Sequence, residues 1–222
     1  MQAKILSQLL DLEKNELEAW YDMSDKEHEA FCIALAEFAD NNPTTFKEFC
    51  LQQIPSETSC LAIVYEAITK HSNSFNTFVL EEIKRVLQFS KNQKEDEYID
   101  SLLWEFDFKN MYQHDFQTYT KIISYLISEI KPLQEIEINY TIVEAIEYYL
   151  IDFEKDTDEK RIIFEDWKAK FEEMVPLADK KLKEKMEDII DYNKQTPFNL
   201  KYKLILFALF VLGIVLYRQF FK

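Results

Sequence analysis

Glycine is almost missing from this chain: among 222 residues there is one, Gly213. A single glycine cannot build a P-loop, a G-x-G-x-x-G dinucleotide turn or a G-x-S-x-G nucleophile elbow, since each needs two or more. The common phosphate-cradling loops and the usual serine hydrolase turn are therefore excluded. Cysteine is also sparse, at three (Cys32, Cys50 and Cys60). An odd number, and an acid-laced opening MQAKILSQLLDLEKNE that does not read as a secretory leader, fit a reducing cytosol. Positive charge is the third shortage, with 26 basic residues facing 41 acidic ones.

The charge is distributed unevenly. Lys201, Lys203, Arg218 and Lys222 are the bases at or beyond position 201, and every acid precedes them, so the first 200 residues carry 22 bases against 41 acids, or −19. Such a surface repels phosphates and attracts basic partners, so no nucleic acid partner is expected. The acid is densest from Glu135 to Glu159, where nine carboxylates meet one base, Lys155. A solvated helix face is the ordinary explanation. The functional reading is a docking surface for a protein partner, a basic one favoured by charge. Glu135, Glu137, Glu144, Glu147, Asp152 and Glu154 are its candidate residues.

What the chain does have is a greasy end, KYKLILFALFVLGIVLYRQFFK. The run Leu204 to Tyr217 has no charge and no polar face. Fourteen helical residues rise roughly 21 Å, short for a bilayer core of about 30 Å. The flanks lengthen it: from 200 to 221 a helix rises roughly 33 Å. Lys201, Lys203 and Arg218 can extend their charges to the headgroups, and Tyr202 and Tyr217 stand where interfacial aromatics belong. A lipid-facing helix is expected, with Leu204, Phe207, Phe210, Leu212, Ile214 and Tyr217 as its body. Lys185, Lys194, Lys201 and Lys203 precede it and favour a cytoplasmic N-terminal part. The expected topology is tail-anchored and single-pass, in a bacterial inner membrane or a eukaryotic organelle's outer membrane. The competing reading is a buried core helix.

Before that run the helical period dominates. Ser24-Asp25-Lys26-Glu27 has the form of a capping box. Asn41-Asn42-Pro43 reads as a stop, with Thr45 and Glu48 opening the next helix, which ends before Pro55. Further apolar stripes run from Leu61 to Ile68, Phe75 to Phe89, Phe116 to Ile130 and Tyr140 to Phe153. SKNQKEDE reads as a loop, followed by helix from Tyr98 to Phe106. Asp156 with Glu159 is expected to cap a long final stretch that Pro176 kinks or divides. EIEINYTIV (135–143) is the best strand candidate, but its continuation is helical. The fold class expected is all-α: a multi-helix bundle or irregular helix-pair array with a single C-terminal transmembrane helix. It divides into an acidic domain at 1–192, a linker at 193–199 and an anchor at 200–221. TFKEFCLQQI (45–54) and SFNTFVLEEI (74–83) share F-x-x-F-x-L-x-x-I, a weak internal echo.

Three constellations could carry chemistry. His28 and Cys32 stand at i, i+4 on one helix face, a spacing able to share a metal. Two ligands do not make a site, and Cys50, Cys60 and His71 complete no known zinc spacing, so neither metal nor cofactor is expected. His114-Asp115, with His71 upstream and Asp152 downstream, resembles the ligand set of helical HD phosphohydrolases over four residues. Glu144-x-x-Glu147, and Glu184-x-x-Glu187 with Asp188 and Asp191, are similar to the magnesium carboxylates of all-α nucleotide pyrophosphatases. A chain with 41 acids produces such pairs by accident. The favoured function is a tail-anchored protein whose acidic helical domain binds a protein partner, as an adaptor or immunity-type protein. The alternative is a membrane-tethered all-α metal-dependent phosphohydrolase, which requires Glu144, Glu147, His71, His114 and Asp115 to converge.

Overall fold

The computed structural model describes residues 2–14, 22–55, 60–72, 74–93, 103, 106, 108–133, 137–151 and 153–191. Their regular structure is helical, and no strand occurs among them. In chain order the helices are α1 (Gln2–Lys14), α2 (Asp25–Asn41), α3 (Pro43–Gln52), α4 (Leu61–His71) and α5 (Asn76–Gln93). They continue as α6 (Phe108–His114), α7 (Phe116–Glu129), α8 (Glu137–Tyr149) and α9 (Asp158–Met174). A 3₁₀ turn, Val175–Leu177, leads into α10 at 180–191.

Local signals explain most helix ends. The Glu27 carboxylate accepts from both the backbone N–H and the hydroxyl of Ser24, at 3.1 and 2.6 Å, and starts α2 as expected. Asn42 closes α2 by donating its N–H to Phe38 and Ala39 and simultaneously precedes α3. Here the structure corrects the sequence reading: α3 begins at Pro43, not at Thr45. Proline's fixed φ suits a first helical turn, whose N–H has no partner inside the helix anyway. The cap of α9 is Thr157 rather than Asp156, its hydroxyl accepting from Lys160 N–H at 3.2 Å. Pro176 does divide the last stretch: it sits in the 3₁₀ turn, and Asp179 then caps α10 by accepting from the N–H groups of Lys181 and Leu182. The segment 137–143 is helix, inside α8. Helix α5 extends to Gln93, so the first part of SKNQKEDE is helical; its remainder and most of 98–106 lie outside the described residues.

Helix α4 is the hub. Leu61, Ala62, Ile63, Val64, Tyr65, Ala67, Ile68 and Thr69 are all buried, and its polar surface narrows to Glu66, Lys70 and His71. It packs against α2, α5 and α6, while α7 in turn packs against α5, α6, α8 and α9. Burying each of its Leu, Ile and Val side chains stabilises the fold by about 1.5–3 kcal/mol. The two halves of the array meet through a run of rings. Tyr65 stacks on Phe106 at 4.5 Å, Phe106 on Phe108 at 5.7 Å, and Phe108 meets Tyr149 edge-on at 4.4 Å. Phe153 then touches Tyr119 and Trp167.

The internal echo has a structural consequence at its aromatic positions only. Phe46 and Phe75, equivalent in the two copies, pack edge to face at 5.2 Å. The equivalence fails two turns later, where Ile54 is exposed and Ile83 is buried.

Candidate functional site

Helices α2 and α4 pack together along a seam, and both bury small residues: Cys32, Ala36 and Ala39 on one, Ala67 on the other. At one end of this seam the chemistry changes. His28, Glu29 and Cys32 of α2 meet Glu66, Lys70 and His71 of α4. His28 Nε2 lies 3.1 Å from Glu66 Oε2, and Lys70 Nζ lies 3.8 Å from Glu66 Oε1. Lys70 also reaches Glu29 Oε2 at 2.8 Å, and Glu29 Oε1 is 3.5 Å from His71 Nε2. The Lys70 hydrogen bond draws the Glu29 carboxyl below its ordinary pKa, and the same bond raises Lys70. Ligand atoms of His28, Cys32 and Glu66 all lie within 4.8 Å of one another. Among the described residues this is the one group of three or more such side chains that could hold a metal ion.

The i, i+4 pair His28 and Cys32 was readable in the sequence, and Glu66 was not. Glu66 is one of 41 acids, and only the packing of α4 on α2 singles it out. Of the sequence's further suggestions, Cys50 and Cys60 are fully buried and not joined in a disulfide, and burial pushes the Cys50 thiol far up. Cys50 lies instead near a second polar group. There Tyr65 donates to Glu82 Oε2 at 2.8 Å, Arg85 grips Glu82, and Arg85 also donates to the carbonyls of Gln53 and Cys50 at 2.9 and 3.2 Å. Burial, and secondarily the Glu82 charge, push the Tyr65 hydroxyl well up.

The acidic stretch is partly engaged with its own chain. Lys185 of α10 reaches Glu144 at 3.1 Å and Glu147 at 3.5 Å on α8, and the Glu144 bond raises the Lys185 pKa. Lys181 and Lys185 lie over the Tyr140 ring. Lys160 binds Asp156 at 2.9 Å, and Arg161 binds Asp158. Glu137 and Glu154 are exposed, while Glu135 and Asp152 lie outside the described residues. Exposed apolar side chains share the stretch: Tyr148 is 43% and Ile151 55% accessible.

The carboxylates and histidines that a phosphohydrolase needs lie in separate settings. Asp115 caps α7, accepting from Thr118 N–H at 3.1 Å, and takes a second bond from Asn76 at 3.1 Å. His114 is exposed at the end of α6. Glu144 and Glu147 hold Lys185, and His71 faces Glu29. The second carboxylate set is interleaved with lysines, Glu184 near Lys180 and Glu187 near Lys183, each at 3.8 Å.

The anchor residues Leu204, Phe207, Phe210, Leu212, Ile214 and Tyr217 lie outside the described residues. Among the described residues no helix is long and apolar enough to cross a membrane. Among the described residues, fold and site together define an all-helical body with an aromatic-rich core. Comparison with protein-family models, curated proteins and solved structures finds no match.

Proposed function

We propose that this chain is a tail-anchored, single-pass membrane protein whose acidic helical body lies on the cytoplasmic side and binds a basic protein partner. The observation that carries the reading is the uncharged run Leu204 to Tyr217, bracketed by Lys201, Lys203 and Arg218 and preceded by a segment of charge −19. A helix apolar on every face suits lipid, and basic flanks suit the headgroups. The binding role rests on the 137–154 region. Glu137 and Glu154 are exposed there, and so are Tyr148 and Ile151. Exposed apolar side chains framed by like charges supply both anchor and steering for an oppositely charged partner.

Fractionation tests the topology. The full chain should resist carbonate extraction, and a version ending at Gln195 should not. Protease added outside sealed vesicles should digest the body only when the cytoplasmic face is outward. A full chain extracted as readily as the shortened one defeats the anchor. A photo-crosslinking residue at Tyr148 in native membranes should then yield an adduct with a basic protein. Adducts with acidic proteins alone defeat the binding half of the reading.

A further inference from the structure

We propose that His28, Cys32 and Glu66 form a three-ligand site for Zn²⁺ that fastens α2 to α4. Donor chemistry selects the ion. Imidazole nitrogen, thiolate sulfur and one carboxylate oxygen suit a borderline-soft divalent cation, whereas magnesium and calcium take oxygen ligands almost alone.

The spacing fits. Two ligands about 2.0–2.1 Å from zinc at a tetrahedral angle stand about 3.3 Å apart. His28 Nε2 and Glu66 Oε2 stand at 3.1 Å, so an ion can take both as ligands with little motion. The Cys32 sulfur lies within 4.8 Å of a ring nitrogen of His28 and a carboxylate oxygen of Glu66, and a zinc–sulfur bond of about 2.3 Å needs no more than roughly 1 Å of closure. His28 and Cys32 are one helical turn apart on α2, the arrangement by which one helix contributes two ligands. Three protein ligands leave a fourth position for water.

The surroundings fit as well. Lys70 holds the other Glu66 oxygen at 3.8 Å and is itself tied to Glu29 at 2.8 Å, so the ligating carboxylate is oriented by its neighbours. Lys70, Glu29, Glu66 and a Cys32 thiolate sum to two negative charges, which one divalent cation neutralises. Cys32 is buried while His28 and Glu66 are half-buried, which gives the ion an entry from the solvent side.

Cobalt(II) titration of the chelator-treated full chain in detergent tests the site, because cobalt–thiolate bonds absorb by charge transfer. One equivalent of Co²⁺ should produce that band, and Zn²⁺ should abolish it. Cys32→Ala should abolish the band, His28→Gln and Glu66→Gln should weaken binding at least tenfold, and Cys50→Ala and Cys60→Ala should leave it. Should Cys32→Ala fail to fold, the partly exposed His28→Gln decides by its affinity. Zn²⁺ should also raise the thermal midpoint of the wild-type chain and not of His28→Gln. The proposal is overturned by absence of the band, by wild-type affinity in His28→Gln, or by a band that depends on Cys50 or Cys60 instead of Cys32.

Discussion

The Tyr65 hydroxyl donates to Glu82 at 2.8 Å across seventeen residues of sequence, joining α4 to α5 beneath the surface. Glu82 is 1% exposed, and Arg85, one helical turn further on, forms an ion pair with it there. Removing one partner from such a pair strands the other, at a cost of about 3–5 kcal/mol. Arg85→Met should therefore lose stability of that order in urea unfolding. Pairing it with Glu82→Gln removes the stranded charge and keeps an acceptor for Tyr65, so the double variant should be more stable than Arg85→Met alone. A loss below about 1 kcal/mol for Arg85→Met would mean that solvent already screens the carboxylate.

Some helix ends were legible in the sequence from local signals alone. Ser24 with Glu27, and the break at Pro176, needed nothing beyond neighbouring residues. Competing local signals produced the misreadings. Pro43 reads as a breaker but serves as a first helical residue, and Asp156 and Thr157 both look like caps while only the Thr157 hydroxyl receives the N–H of Lys160. Non-local facts were not legible. Glu82 and Glu66 are indistinguishable from the other acids until α5 and α2 are placed against α4. The same holds for Glu144 and Glu147, whose engagement by Lys185 depends on how α10 lies on α8.

Tyr119 caps a helix from a distance. Its hydroxyl donates to the carbonyl of Tyr149 at 2.9 Å, in the last turn of α8, where carbonyls have no partner inside the helix. Tyr119→Phe preserves the ring stack on Phe153 and removes only that donor. A buried acceptor left unsatisfied costs about 1–3 kcal/mol. Thermal or urea unfolding should show that loss with unchanged helical circular dichroism. A neutral result would show that water reaches the Tyr149 carbonyl.

Acid should unfold this protein through a few named carboxyls. Hydrogen bonds from Ser24 lower Glu27, and the Lys70 bond lowers Glu29, both from an ordinary 4.5. Burial pushes Asp115 up, but bonds from Thr118 and Asn76 outweigh it and leave it below its ordinary 3.8; the Lys160 bond lowers Asp156. Each folded value lies below the unfolded one, so these groups stabilise the fold fully above the unfolded values and lose that contribution as pH falls through the folded ones. Stability should be level near neutrality on their account and fall below about pH 4. Asp115→Asn, which keeps a capping oxygen without a titratable proton, should flatten part of that fall in a pH series of urea midpoints. An unchanged acid limb would remove Asp115 from the list.

Lys155 should titrate in the opposite sense, and within reach of experiment. Its ammonium lies 3.3 Å from the centre of the Phe164 ring, and burial pushes its pKa down to about 8, against the pull of Glu165 and with the push of Lys168. The unfolded value is the ordinary 10.5, so between about pH 8 and 10.5 the unfolded chain holds the extra proton. Stability should therefore rise with pH across that window, where most proteins gain nothing. The ring face favours the charged form, so Phe164→Leu should lower the Lys155 pKa further. Nitrogen-detected NMR of the lysine amine reads both quantities directly. At pH 8 Lys155 should also react with an acylating reagent ahead of the surface lysines, because a larger share of it is neutral. A Lys155 signal that titrates at the ordinary 10.5 would place its amine in open solvent and abolish the predicted rise.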